Sequence, residues 1–204
     1  MDEQYERSAL LSALTTEHFV LQTANNSTYS EASSRSTLYM MALSSALVAT
    51  GFVANSPDIL LSFAAVVLPT IFLLGLFTVF RLVEATLESI QYLHGIARIR
   101  GYYRTLGPEA ARQFAPEYGR WPEIQSPALR LGPVLAFYGT TASMIAVINN
   151  VVAGVGIALL VRVLSPSTSG WIGGAVGVLA AALLTLAFYA YQRWRFSDFD
   201  PEGH

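Results

Sequence analysis

Four long apolar stretches, none holding a Lys, Asp, Glu or His, constrain this 204-residue chain more than any other feature. They run from Leu38 to Ala54, Ile59 to Phe80, Val134 to Val161 and Trp171 to Tyr191. A bilayer crossing takes ~20 mainly apolar residues at ~1.5 Å of rise each. Each stretch reaches that length or nearly so, and a soluble domain of this size seldom carries four. The expected fold is an all-α membrane protein with four transmembrane helices. Composition agrees: 53% of residues are apolar and 13% charged, where a soluble domain carries ~25% charge.

Arginine sets the orientation. The chain has no Lys, so its cations other than His are 12 Arg. Arg7 and Arg35 precede the first span. Arg81, Arg98, Arg100, Arg104, Arg112, Arg120 and Arg130 lie between the second and third, and Arg193 and Arg195 follow the fourth. Only Arg162 falls on the other side, beside the short loop Ser165–Gly170. Positive residues near span ends stay in the cytoplasm. Both termini are therefore expected inside (N-in, C-in), in a multi-pass protein of the cell (inner or plasma) membrane. The two outer loops, Asn55–Asp58 and Ser165–Gly170, are too short to form a receptor domain.

Five segments follow. Residues 1–37 read as a cytoplasmic N-terminal helix, with small polar residues around Asn25 and Asn26 as the place where it would break. Residues 38–81 hold the first two spans. Residues 82–133 begin as helix, with Val83, Leu87, Ile90 and Ala97 on one stripe, and pass into a Pro/Gly linker after Gly101. Gly107-Pro108-Glu109 marks a short helix start, since Pro suits the first helical position, and that helix should stop before Pro116. Residues 134–195 hold the third and fourth spans, with Pro133 opening the third, and 196–204 form a cytoplasmic tail. The first two spans meet no breaker on their cytoplasmic sides, so both are expected to continue into a cytoplasmic helical stalk. Pro69, inside the second span, should kink it, because Pro removes a helix hydrogen bond and crowds the preceding turn.

Polar and small residues inside the spans are the candidate functional positions. Asn149 and Asn150 sit near the middle of the third span, and a buried amide in hydrocarbon must find a partner or line water. They serve either as hydrogen-bonded glue between helices or as a polar ring around a pore. Ala142, Ala146, Asn150, Gly154 and Ala158 recur every four residues, as do Gly173, Gly177, Ala181 and Thr185. Such stripes let helix backbones approach closely in lipid. Ala146, Gly154, Gly173 and Gly177 are thus candidate packing residues, within the hairpin or against a neighbouring subunit. Tyr189, Tyr191 and Trp194 mark an interfacial aromatic belt.

No catalytic, cofactor or metal site is expected. The chain has no Cys, no phosphate-binding loop, no nucleophile elbow and no HExxH. No ionisable residue stands within a span to couple transport to protons. Glu17 and His18 have no further ligand at a useful spacing. Glu84 and Glu88, at i and i+4, form a charged face with Arg81, His94 and Arg98 close in sequence. A formal net charge of −2 gives no reason to expect nucleic acid as a partner.

Over residues 8–105 the layout is a cytoplasmic helix, two closely spaced spans and more cytoplasmic helix. It resembles the SLATT-type effectors of bacterial conflict systems. That resemblance implies self-association and pore formation in the membrane. The whole chain also looks like the small four-helix membrane proteins of GC-rich bacteria, a source that the absence of Lys suits. Two functional classes result. One is a self-associating, homo-oligomeric pore or channel-like effector. The other is a non-conducting scaffold or accessory subunit that docks a cytoplasmic protein. A lipid-modifying enzyme ranks below both for want of an acid–base pair. The lipid bilayer is the partner common to all three.

Overall fold

The computed structural model describes residues 2–115, 138–167 and 169–197. Among them every regular element is a helix: α1 (Asp2–Val53), α2 (Pro57–Arg104), α3 (Pro108–Gln113), α4 (Thr141–Leu164) and α5 (Gly170–Ser197). Four of the five, all but α3, are long and apolar enough to cross a membrane. This is the arrangement of a multi-pass integral membrane protein. The linker from Pro116, the opening of span three at Pro133 and the tail from Asp198 lie outside the described residues.

Helix α1 is 52 residues long and does not break at Asn25–Asn26. No Gly or Pro interrupts it before Gly51. Its hydroxyls bond back into their own helix, a habit that satisfies Ser and Thr without a partner helix. Thr28 Oγ1 donates to the Ala24 carbonyl at 3.1 Å, Thr37 Oγ1 to Ser33 at 2.9 Å and Thr50 Oγ1 to Ala46 at 2.7 Å.

Helix α2 starts with Pro57 at its first position, where the missing N–H costs nothing. The Leu60 N–H donates to the Ser56 carbonyl at 2.8 Å, and Asp58 in the first turn complements the helix dipole. The helix runs through Pro69 and on to Arg104 as one element of 48 residues. The short α3 occupies the place that Gly107-Pro108 marks.

The third apolar run is not helical from end to end. Gly139 lies in a turn, and Thr140 caps a new helix with its backbone extended (φ −70°, ψ 155°). Thr140 Oγ1 accepts from the Ser143 N–H at 3.2 Å, supplying one of the acceptors that a helix N-terminus lacks. The span is therefore the 24-residue α4, not the whole of Val134–Val161.

The chain divides into two compact units: residues 1–31 with 85–137, and residues 32–84 with 138–204. The first unit pairs the start of α1 with the end of α2 through side chains. Arg7 Nη2 donates to the Leu106 carbonyl (3.3 Å), and Ser89 Oγ donates to Asn25 Oδ1 (2.7 Å). Leu87 and Ile99 are buried there, while Ile90 and Ala97 are half-buried. The second unit packs the membrane parts of α1 and α2 with α4 and α5. Its core includes Tyr39, Ile71, Val79, Val83, Ile145 and Ala146.

Candidate functional site: a buried amide node in the second unit

Asn149 joins three helices. Its side chain is buried (2% exposed). Its Oδ1 accepts from the Tyr39 hydroxyl of α1 at 3.3 Å, and its Nδ2 donates to the Phe72 carbonyl of α2 at 3.1 Å. Tyr39 is fully buried. The node exists because Gly75 of α2 has no side chain. A Cβ there would press on the Asn149 amide and lie 2.7 Å from Cε2 of Tyr39. With donor and acceptor both used, the amide meets the requirement that hydrocarbon imposes on a buried polar group.

Asn150 turns elsewhere. Successive helical residues point ~100° apart, since 3.6 residues make a turn. Its Nδ2 therefore meets α5, donating to Thr185 Oγ1 at 3.2 Å, while Thr185 Oγ1 donates to the Ala181 carbonyl at 2.8 Å. One turn toward the start of α4, Ala146 is buried. One turn toward its end, Gly154 touches Gly177 of α5. A Cβ on Gly154 would lie 2.5 Å from the Gly177 carbonyl oxygen, and one on Gly177 would run into the Gly154 carbonyl. Gly173 is looser, with the Ala158 carbonyl 3.3 Å from where its Cβ would be. Gly154, Gly173 and Gly177 thus face the α4–α5 contact within the chain.

Near the other end of the same helix pair, Ser143 Oγ donates to Gln192 Oε1 at 3.3 Å, and both residues are 1% exposed. Glu84 takes a partner that its sequence neighbours do not suggest. Arg195 grips it through two nitrogens, Nε donating to Oε1 at 3.1 Å and Nη2 to Oε1 at 2.7 Å and to Oε2 at 2.9 Å. A forked guanidinium–carboxylate pair fixes geometry as well as charge. Nearby, Phe80 and Tyr191 pack edge to face with ring centroids 5.4 Å apart.

In the first unit, His18 lies well before the apolar run that starts at Leu38. Its pKa is pushed below the usual histidine value, first by burial and then by the Arg100 charge. Its Nδ1, like Nε2 of His94, is a buried ring nitrogen without a hydrogen-bond partner among the described residues. Among the described residues no group of three metal-ligating side chains converges.

Tyr39, Gly75, Gln192 and the Glu84–Arg195 pair were not singled out from sequence. A Tyr or Gly inside an apolar span is ordinary until its neighbours on other helices are known. No family model, curated relative or solved structure matches the chain.

Proposed function

We propose that this chain is a non-conducting membrane scaffold or accessory subunit. Its termini and residues 82–133 face the cytoplasm of a bacterial cell, and its first unit is a helical stalk that docks a soluble protein. Arginine asymmetry supports that orientation. The carrying observation is that both mid-span amides are spent inside one chain. Asn149 serves Tyr39 and Phe72, and Asn150 serves Thr185. Bonds of this kind within one chain favour helix packing over a polar ring around a pore. Phe19 and Val20, 62% and 54% exposed, supply apolar surface on the stalk for a partner.

The test pairs two measurements. Purified protein in liposomes should leave them tight to ions at every voltage and pH tried, and sustained flux would overturn the reading. Crosslinking in cells should recover a soluble protein with the wild type that Phe19→Asp loses. Recovery of self-contacts alone would remove the docking role.

A second reading, a homo-oligomeric pore of the kind the SLATT-like layout implies, has one observation in its favour. The apolar window of α1 is the least buried of the four. Its outward face carries Thr37, Met41, Ser44 and Ser45 around a shallow depression. Copies meeting on this face would bring hydroxyls to a common axis. Because the chain has no Cys, Ser44→Cys introduces a unique thiol. Oxidation to a disulfide-linked dimer together with ion flux favours this reading, and an uncrosslinked monomer removes it.

A further inference from the structure

An open-sided groove of about 660 Å³ runs between α2 and α4 in the second unit, with Leu184 of α5 behind it. Every side chain lining it is apolar. On α2 it extends from Leu61 to Phe72, and on the antiparallel α4 from Val163 back to Val152. Either way that is eleven residue steps, or ~16 Å of helix. Half of a ~30 Å hydrocarbon core is ~15 Å. The groove therefore starts beside the two short loops and stops at Phe72, whose carbonyl is held by Asn149. Its length is that of one leaflet.

Small residues make it deep. Ala64 and Ala65 of α2 face Ala153 and Gly156 of α4, and a Cβ on Gly156 would find its first neighbour, Cδ1 of Leu68, 3.9 Å away. An apolar space offers water no hydrogen bonds and stays dry. Left empty, its walls would forfeit their dispersion contacts. A rigid helix from a second copy would enter it only in part. At ~10–12 Å across, 16 Å of helix displaces on the order of 1,300–1,800 Å³, two to three times what the groove holds. Flexible hydrocarbon tails of leaflet length are the occupant that fits in length and polarity, and a bilayer supplies them as phospholipid.

We propose that the α2–α4 groove is a binding site for one phospholipid, seated by its hydrocarbon tails, from the leaflet on the side of the two short loops. This goes beyond the scaffold reading and stands whether or not the protein docks a soluble partner.

Full-length protein extracted from membranes in mild detergent should retain one phospholipid per chain by native mass spectrometry and lipid extraction. Gly156→Leu, whose side chain enters open space, and Ala153→Leu should each lose most of it. Val178→Leu, on the exposed face of α5 outside the groove, should keep it. Helix content and thermal unfolding show which variants fold, and either groove variant alone suffices. A phospholipid with a photoreactive group on its tail, incorporated in liposomes, should label residues 61–72 and 152–163 far above the exposed face of α5. A free fatty acid bearing the same group is the comparison arm. Retention of lipid by a folded groove variant overturns the proposal. So does even labelling of all apolar faces, labelling by the fatty acid alone, or a groove-to-groove crosslink between two copies.

Discussion

The two units hold helices together in different ways. In the second, α4 and α5 touch backbone to backbone, with Gly154 and Gly177 each against the other's carbonyl. In the first, α1 and α2 meet through side chains: Leu21 lies over Gly95, Ser89 bonds Asn25, and Arg7 reaches the Leu106 carbonyl. The difference follows from the solvent each sequence suits. Lipid gives apolar side chains no reason to leave it, so association there relies on close approach and hydrogen bonds. A charge-bearing helix pair in water gains by covering apolar side chains and tolerates looser contact.

The largest test of this contrast is Gly177→Leu. Its side chain would meet backbone, which cannot swing aside, so α4 and α5 must separate. The expected loss is about 3 kcal/mol or more of stability, read as a lower thermal unfolding midpoint in detergent. A wild-type midpoint would break the comparison.

Next comes Asn149→Leu, which removes two interhelical hydrogen bonds and strands the Tyr39 hydroxyl. Interhelical polar bonds in membranes average ~0.6 and reach ~1.7 kcal/mol, so a loss of about 1–2 kcal/mol is expected. Asn150→Leu, with its single bond to Thr185, should cost less. If the two cost the same, Asn149 is not the stronger tie.

Gly95→Ala should go the other way. Its Cβ would lie 2.9 Å from Leu21 Cδ1, the free end of a side chain that can rotate away. The helix gains up to ~1 kcal/mol of propensity. The outcome expected is a neutral or slightly raised unfolding midpoint, and a marked drop would mean the first unit is packed as tightly as the second.

The smallest effect concerns pH. His18 has a lowered pKa in the folded chain, so below its unfolded value of ~6.5 the unfolded state binds the proton more readily. Stability of the first unit should be complete above that pH and decline as pH falls through it toward the folded pKa. Hydrogen-exchange protection factors of residues 8–31, taken relative to the intrinsic rate at each pH, should fall between pH 7.5 and 5, and His18→Gln should flatten the change. Protection that rises on acidification would reverse the sign.

Much of the fold was legible in the sequence, and the site only in part. The helical α3 start at Gly107-Pro108 and the four spans follow from local signals that need no partner. The small-residue stripes, Ala146, Asn150 and Gly154 on α4 and Gly173 and Gly177 on α5, were visible as faces, because spacing alone defines a face. Two local expectations were corrected. Asn25 and Asn26 do not break α1: Asn25 Oδ1 accepts from Ser89, and Asn26 lies on the exposed face of the helix. Gly139 and Thr140 interrupt the third run, since a capping hydroxyl there outweighs continuous hydropathy. Gly75 went unmarked because its need for no side chain arises from Tyr39 and Asn149, 36 residues before it and 74 after it. Arg195 and Glu84 are likewise 111 residues apart.

By itself the sequence determined that this chain forms long helices, which four of them suit a membrane, and which stripes they offer for packing. Those properties come from hydropathy and from backbone periodicity, both local. Only the tertiary structure decided that Asn149 ties α1 and α2 to α4, while its neighbour Asn150 binds α5. It also decided that α2 and α4 stand apart along one leaflet's length, leaving a groove. The reason is that a polar group in hydrocarbon must be satisfied by something, but which helix supplies the partner depends on how all four are brought together.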